Sequence, residues 1–298
     1  MVIPPLIKPM LAKGGGKPFD DDHYGFEVKW DGVRALVIAD DPYRIQNRHL
    51  NIVSRLFPEL NFPFLPKGTV LDGEIVVLKS GVPSFQAIQR RSHMQDEAKI
   101  GLAARSIPAS FMIFDLLYFD GESVENRPLH ERRALLQDLL KKPRQRLILV
   151  DQIQGLGITY FNAVAERGLE GVIAKRLESR YMEGKRSSSW IKIVAWRIEP
   201  LQVLGYVKEP HKDRVKQVAL GKKVKGTWNF MGKIGSFDAS DQEHLYTTLN
   251  NAPTMSPPPK GGPRDVQWHD IDLRCHVRYF QETATGRLRH ASFRGWAK

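Results

Sequence analysis

The chain has 298 residues, 42% of them hydrophobic, which is enough to bury the cores of two ordinary domains. Its formal charge of +12 favours a polyanionic partner, nucleic acid before a membrane, although a charged surface can also serve solubility alone. The single cysteine, Cys275, excludes internal disulfides and cysteine-based zinc sites, and no apolar run is long enough for a membrane span. Since the N-terminus also lacks the apolar core of a signal peptide, we expect a cytoplasmic protein that does not bind membranes.

The first predicted strand carries an unusual set of charges. In YGFEVKWDGVRALV, at residues 24–37, strand alternation would place Phe26, Val28 and Trp30 on one apolar face. The other face would carry a lysine between two acids, namely Glu27, Lys29 and Asp31. On a surface this would be an ordinary ladder of ion pairs. Beside a metal ion or other cations, the same lysine could lose its proton and become a nucleophile.

The rest of the first two thirds mixes strands and helices irregularly, which predicts an α+β fold rather than a doubly wound one. Strand-like apolar runs occupy residues 70–78, 110–121, 146–153 and 170–177. Helical patterns occupy residues 128–142, beginning at Pro128, and residues 159–168, ending at Gly168.

The last third has a different pattern, so we place domains at residues 1–200 and 201–298. Short strands around one helix predict a small β-barrel, in which Ser240 and Glu243 match a capping box at the helix start. The Pro/Gly-rich residues 252–263 predict an exposed loop. Residues 200–298 hold 16 basic and 9 acidic side chains, so we expect this domain to hold the polyanion.

Five short motifs occur in a fixed order along the chain: KWDGVR, DGEIVV, FMIFDLLYFDG, EGVIAKR and SSWIKIV. Each alone could be a turn, an ion pair or a core strand. As an ordered set they resemble the covalent nucleotidyltransferases, and the chain is similar to ATP-dependent DNA ligases, in particular small bacterial repair ligases and the ligase domain of bacterial end-joining proteins. KPMLA at residues 8–12, FPEL at 57–60 and GRLRHASFRG at 286–295 strengthen the likeness.

This resemblance implies a nucleotidyltransferase (adenylation) domain of antiparallel sheets with flanking helices, followed by an oligonucleotide-binding (OB) fold barrel. It implies a monomeric enzyme that seals nicks in double-stranded DNA, in DNA repair. ATP would donate AMP with the help of Mg²⁺ or Mn²⁺, through lysyl-AMP and DNA-adenylate intermediates.

The resemblance also implies roles for residues around the nucleotide. Lys29 would attack the α-phosphate of ATP, and Glu27 would help to seat the adenine. Glu74 would contact the ribose, and Phe114 would stack on the adenine, although an aromatic residue at this place could equally be a core residue. Arg34 would contact the nucleotide or the nick phosphate.

A second set of implied roles concerns charge. Glu170 and Glu74 would bind the metal ion, while Lys175 and Lys192 would grip the α-phosphate. These cations would counter the acids beside Lys29 and favour its neutral amine. Arg48 matches a basic residue of the family less closely, because its neighbours in QNRHLN differ from the usual Ser-Arg-Asn-Gly.

Nucleic-acid contacts in the barrel are implied for Lys233, Arg289 and Arg294. Two departures from the family pattern stand out. Val194 replaces the second lysine of the WxKxK motif, and the chain ends in RGWAK rather than Arg-x-Asp-Lys, leaving Arg289, Arg294 or Lys298 to face the pyrophosphate. Two alternatives therefore stay open: an RNA ligase or capping-type enzyme with the same lysine chemistry, and a non-catalytic nucleic-acid-binding protein with a decayed site.

Overall fold

The structure, a computed structural model, describes residues 3–283 and 285–297. The chain divides into two compact units, with the boundary between Ala195 and Trp196. The boundary placed at residue 200 from the sequence falls inside a strand, Arg197–Lys208, so the residues just before it belong to the second unit.

The first unit contains strands and helices in an irregular order. Its strands are β1 Leu11–Gly14, β2 Asp21–Val28, β3 Val33–Ala39, β4 Arg44–Asn47, β5 Thr69–Lys79, β6 Val82–Pro83, β7 Ala109–Phe119, β8 Glu122–Ser123, β9 Leu147–Leu149, β10 Gln152–Gly155, β11 Gly171–Arg176 and β12 Arg186–Val194. Its helices are α1 Phe85–Ser92, α2 Glu97–Ser106, α3 Leu129–Leu139 and α4 Gly157–Glu166, and short 3₁₀ turns lie at Ser54–Leu56 and Pro58–Leu60.

These strands form two mainly antiparallel sheets. Within the described residues, the first sheet has the order β1-β12-β11-β2-β10 and the second the order β4-β3-β5-β7-β8, with β6 beside β5 and β9 parallel to β7. One buried apolar layer takes side chains from both sheets, including Trp190 from the first and Leu36, Met112 and Phe114 from the second. The inner faces of the two sheets therefore share one core. We use the word cleft for the region at its edge where charged side chains gather around Lys29, namely Glu27, Arg34, Glu74, Glu170, Lys175 and Lys192.

The opening strand confirms the predicted alternation only as far as Val28. Phe26 and Val28 pack together on the outer face of the first sheet, against Val164 of α4. Trp30 packs instead against the layer between the sheets, because β2 ends at Val28 and the chain turns. Gly32 is required by packing: a Cβ there would lie 2.1 Å from the carbonyl oxygen of Ile75 in β5.

Most predicted elements of this unit are confirmed, and one is wrong. The runs at 70–78, 110–121 and 170–177 are β5, β7 and β11, and the two predicted helices are α3 and α4. The run at 146–153 is not one strand. It divides into β9 and β10, which belong to different sheets, and the chain crosses between them at Val150 and Asp151. Helices α1 and α2 were not predicted.

As far as the structure describes it, the second unit is a single sheet with one helix. Its elements are β13 Arg197–Lys208, β14 Val215–Val224, β15 Thr227–Ile234, α5 Ala239–Asn250, β16 Gln267–Trp268, β17 Arg274–Tyr279 and β18 Ser292–Trp296. Within the described residues the order is β15-β14-β13-β17-β18, with β16 beside β13. The Leu288 N–H donates to the Met231 carbonyl at 2.8 Å, which ties the segment before β18 to β15 and curls the sheet toward a barrel.

The predicted capping box of this unit is wrong. Asp238 caps α5, and its carboxylate accepts the Asp241 N–H at 2.8 Å. Glu243 instead forms an ion pair with Arg214 at 2.6 Å. Ser240 lies two residues past the true cap, and both positions carry capping side chains, so the local pattern alone could not distinguish them. Residues 252–263 are an irregular, mostly exposed segment, as predicted.

Candidate active site

Lys29 immediately follows β2 and is held by the neighbouring strand. Its N–H donates to the Gly171 carbonyl at 2.8 Å, which extends the pairing of β2 with β11. Its Nζ forms a hydrogen-bonded ion pair with Oε2 of Glu170, the residue before β11. The Lys29 side chain is 21% exposed, whereas Glu170 is 8% exposed. The fold therefore presents this amine to solvent from a rigid backbone.

Glu27 lies two residues before Lys29 and is buried in a network of donors. Its Oε2 pairs with the Lys175 Nζ at 2.7 Å. Its Oε1 accepts from the Arg133 Nη1 at 2.9 Å and from the Gln152 Nε2 at 2.8 Å. Sequence reasoning found Glu27 and Lys175 but missed Arg133 and Gln152, which lie on α3 and β10.

Lys175 is enclosed between aromatic rings. Its Nζ lies 4.3 and 4.4 Å from the ring centroids of Phe114 and Trp190, and it donates to the Phe114 carbonyl at 3.2 Å. Burial lowers the pKa of Lys175, and the neighbouring Glu27 opposes that effect. Lys175 is thus paired with Glu27 in the buried floor of the cleft and does not belong to the group of cations around Lys29.

Lys192 belongs to the cluster around Lys29. It is half-buried on β12, and burial, Lys29 and Arg186 all lower its pKa, while Glu170 raises it. Arg48 adds to the same positive field from the end of β4. Its side chain is exposed, and its N–H donates to the Arg34 carbonyl at 3.1 Å. This gathering of cations suits a phosphate group.

Arg34 is held by Asp72, a fully buried acid on β5. Its Nε and Nη2 donate to Asp72 at 2.6 and 2.5 Å, and its guanidinium lies 4.4 Å from the Phe114 ring centroid. The Tyr181 hydroxyl donates to the same carboxylate at 2.7 Å. Burial works against the charge of Arg34, but the ion pair with Asp72 outweighs it and raises the pKa of Arg34.

Glu74 shares the face of β5 that carries Asp72 and is half-buried. Burial raises the pKa of Glu74 to about 7, opposed by Arg34 and Lys29 and reinforced by Glu170. The described residues contain no group of three or more metal-ligating side chains. Glu74 and Glu170 nevertheless fit a magnesium ion that arrives with a nucleotide, because Mg²⁺ commonly binds one or two carboxylates together with substrate phosphates.

The nucleic-acid contacts expected in the second unit differ in exposure. Lys233 is paired with Asp265 at 2.7 Å and is about a quarter exposed. Arg289 is buried near the Phe280 ring, whereas Arg294 is exposed on β18. Lys298 lies outside the described residues. Of the barrel aromatics, Phe230 and Phe237 are buried in the core, whereas Trp228 is half-exposed.

The β14–β15 pair, which we call the basic hairpin (residues 215–234), is rich in lysine, and sequence reasoning named only Lys233 among its cations. Residues 214–236 include six basic and no acidic side chains, a signal that the sequence already carries. Its two-residue turn is Lys225-Gly226, with φ of 49° and 81°. Among the described residues, neither Lys223 nor Lys225 has a carboxylate within ion-pair distance, and both are exposed.

Comparison with known proteins identifies the family. The ATP dependent DNA ligase domain matches residues 9–193, and the ATP dependent DNA ligase C terminal region matches residues 211–298. The chain belongs to the ATP-dependent DNA ligases. Its relatives include bacterial repair and end-joining ligases, and its fold, α+β with an OB-like second unit, agrees with the prediction. Among the described residues, no helix has the length and apolarity to cross a membrane.

Several relatives support this membership. The multifunctional non-homologous end joining protein LigD of Mycolicibacterium smegmatis is 32% identical over 98% of this chain, which spans only 38% of that protein. DNA ligase C1 of the same species is 30% identical over 97% of this chain and 89% of its own length. The SPbeta prophage-derived DNA ligase-like protein LigB of Bacillus subtilis is 34% identical over 70% of this chain and 74% of its own.

Solved structures of DNA ligases support the same family assignment. Mycobacterial DNA ligase D complexed with ATP and MES is 31% identical and covers 98% of this chain and 95% of its own, with a TM-score of 0.58. A Lig E DNA ligase is 18% identical, with 97% of this chain and 99% of that one covered, and its TM-score of 0.68 shows a shared fold. Family membership thus favours a DNA ligase over a capping-type enzyme.

Proposed function

We propose that this ligase seals nicks in duplex DNA by way of an AMP group carried on Lys29. The observation that carries the proposal is the position of the Lys29 amine. It stands at a strand end, in contact with Glu170 and within the positive field of Lys192. A non-catalytic nucleic-acid-binding protein would have no use for this arrangement.

The first step forms a bond between the Lys29 Nζ and the α-phosphorus of ATP and breaks the bond from that phosphorus to pyrophosphate. Lys29 reacts as the neutral amine, so the proton that its Nζ donates to Glu170 must be lost first. Lys192 would bind the α-phosphate and counter its charge. A Mg²⁺ or Mn²⁺ ion held by Glu170 and Glu74 would neutralise further phosphate charge.

The floor of the cleft would receive the base and sugar. The buried pair of Glu27 and Lys175 lies beside Phe114. To the edge of an adenine ring, Glu27 offers a hydrogen-bond acceptor and Lys175, next to it, offers a donor. We assign Lys175 to this floor rather than to the α-phosphate, because it is 2% exposed and paired with Glu27. Glu74, nearer the opening, suits a ribose hydroxyl.

The second unit would bind the nicked duplex. The basic hairpin offers the exposed Lys223 and Lys225, which have no carboxylate within ion-pair distance in the part of the chain that the structure describes. OB folds bind nucleic acid on the face of their second and third strands, which here are β14 and β15. The half-exposed Trp228 lies beside Lys223, with the Lys223 Nζ 5.5 Å from its ring centroid. Arg294 would add a further phosphate contact from β18.

Labelled ATP separates the steps. We expect the parent protein to keep a covalent label through denaturing electrophoresis, and Lys29→Ala to lose it. The same variant should still seal a nick that already carries a 5′-AMP, because the last step does not need the lysine as a nucleophile. Glu178→Ala, an exposed acid outside the cleft, serves as the control. A label retained by Lys29→Ala would contradict the assignment.

A further inference from the structure

We propose that Gln152 is a positioning residue for nucleotide selection, which orients the Glu27 carboxylate so that one acceptor site on Oε2 meets the adenine amino group. This inference rests on the proposed contact between Glu27 and adenine. It concerns the residue that orients that carboxylate. Gln152 lies on β10, 125 residues along the chain from Glu27 on β2.

The Glu27 carboxylate is held by three donors, which leave it little freedom to rotate. A carboxylate offers about four acceptor sites, two on each oxygen. Oε1 accepts from Arg133 and from Gln152, so both of its sites are filled. Oε2 accepts from Lys175, which leaves one site. The network therefore fixes both the plane of the carboxylate and the one direction in which it can accept a further donor.

That remaining acceptor suits adenine and not guanine. The adenine amino group would donate to Oε2, and the Lys175 ammonium beside it could donate to the adjacent ring nitrogen. Guanine presents a carbonyl oxygen in place of the amino group, and two acceptors would then face each other in a buried site. Because Glu27 and Lys175 are both 2% exposed, water could not relieve the mismatch.

Gly25 gives independent evidence that Gln152 is placed for this task. It lies two residues before Glu27, on the same face of β2, and Gln152 is opposite Glu27 in the β2–β10 pairing. A Cβ on Gly25 would lie 2.2 Å from the Gln152 Cδ and 2.6 Å from its Oε1. No left-handed backbone requires glycine here, since its φ is not among the positive values. The missing side chain is the space through which Gln152 reaches Glu27.

The same strand supplies a matched control. Gln154 is also on β10, but it is exposed, and its Nε2 donates to the Asp22 carbonyl at 2.8 Å, away from Glu27. Replacing either glutamine with alanine removes the same amide from the same strand. Only the change at Gln152 should alter the orientation of the Glu27 carboxylate.

The test compares self-adenylation in single turnovers with ATP and with purine riboside triphosphate, which lacks the amino group. We expect the parent to prefer ATP and Gln152→Ala to reduce that preference about two- to tenfold, the net value of one typical hydrogen bond. The loss should appear with ATP and hardly at all with the analogue. Gln154→Ala should keep the parental preference.

Gly25→Ala tests the same inference without touching the network itself. It should push the Gln152 amide aside and reproduce the reduced preference, while Gly25→Ala combined with Gln152→Ala should be no worse than Gln152→Ala alone. A role in folding only would slow both nucleotides equally and leave the preference unchanged, and that result would overturn the inference.

Glu27→Gln separates this inference from the proposed function on which it rests. If Glu27→Gln abolishes the preference and Gln152→Ala preserves it, the base contact stands and the positioning role of Gln152 is wrong. If Glu27→Gln itself preserves the preference, the base contact in the proposed function fails first.

Discussion

The cleft of the first unit and the basic hairpin of the second hold their charges in opposite ways. In the cleft, Arg34, Lys175 and Arg133 each face a carboxylate and are largely buried. In the hairpin, Lys223 and Lys225 are exposed, with no carboxylate within ion-pair distance among the described residues. Buried pairs fix geometry and resist salt, whereas exposed cations attract a polyanion from any direction and are screened by salt. One region is suited to chemistry on one nucleotide, and the other to holding a long backbone.

The largest effect should come from breaking a buried pair behind the cleft. Arg132 and Asp115 are both fully buried and joined by two hydrogen bonds, at 2.7 and 2.9 Å. Arg132→Met leaves Asp115 as an uncompensated buried charge, and we expect a loss of about 3–5 kcal/mol in the free energy of unfolding. Urea denaturation followed by fluorescence measures it.

The hairpin gives the control for that measurement. Lys223→Gln removes an exposed charge of similar reach and should change the unfolding free energy by no more than about 0.5 kcal/mol. Equal losses for the two variants would show that the two regions do not differ in the way described.

Binding of nicked DNA should depend on the hairpin more than on the buried pairs of the cleft. Replacing Lys222, Lys223 and Lys225 with glutamine should weaken nick binding by roughly one to two decades. It should also reduce the log-log salt slope by up to about 2.7, since each neutralised phosphate contributes about 0.9. Fluorescence anisotropy with a nicked duplex at several salt concentrations gives both numbers. Lys141→Gln, an exposed lysine of the first unit beside Asp138, is the control and should leave the slope unchanged.

A smaller effect concerns pH. The pKa of Glu74 is about 7 in the fold, against its ordinary 4.5, so the folded protein binds more protons than the unfolded chain between these values. Stability from this residue is therefore highest below pH 4.5 and is lost as the pH rises toward 7. Without metal and nucleotide, Glu74→Gln should reduce the fall in Tm between pH 5 and 7.5. An unchanged fall would show that Glu74 is not the group responsible.

Sequence motifs indicated which side chains gather in the cleft more completely than which residues support them. The motif residues Lys29, Glu170 and Lys192 come together as expected, because each sits in a recognisable local pattern. Arg133 and Gln152 contact Glu27 across sequence separations of 106 and 125 residues, and no local pattern marks them. Only the packing of α3 and β10 against β2 brings them there.

Two further differences between the sequence predictions and the structure have physical causes. The run at 146–153 is apolar throughout, so its division between two sheets at Val150 leaves no local mark. The basic hairpin differs, because its lack of acidic residues over residues 214–236 is visible in the sequence and could have been preferred to Arg289, which folding buries. Charge composition predicts an exposed hairpin more safely than it predicts a single arginine.

The most direct test of this division of labour follows the two reactions separately as salt is raised. Single-turnover self-adenylation of Lys29 and sealing of a pre-adenylated nick are measured on the same protein, each from 50 to roughly 300 mM salt at subsaturating DNA. We predict that the adenylation rate changes much less than the sealing rate, because the charges of Arg34, Lys175 and Arg133 that fix the geometry of the cleft are largely buried and paired, while the sealing rate falls steeply. Replacing the three hairpin lysines with glutamine should flatten only the sealing curve. If both reactions fall with the same slope, or if the hairpin variant alters adenylation as much as sealing, the two regions do not work as separate parts.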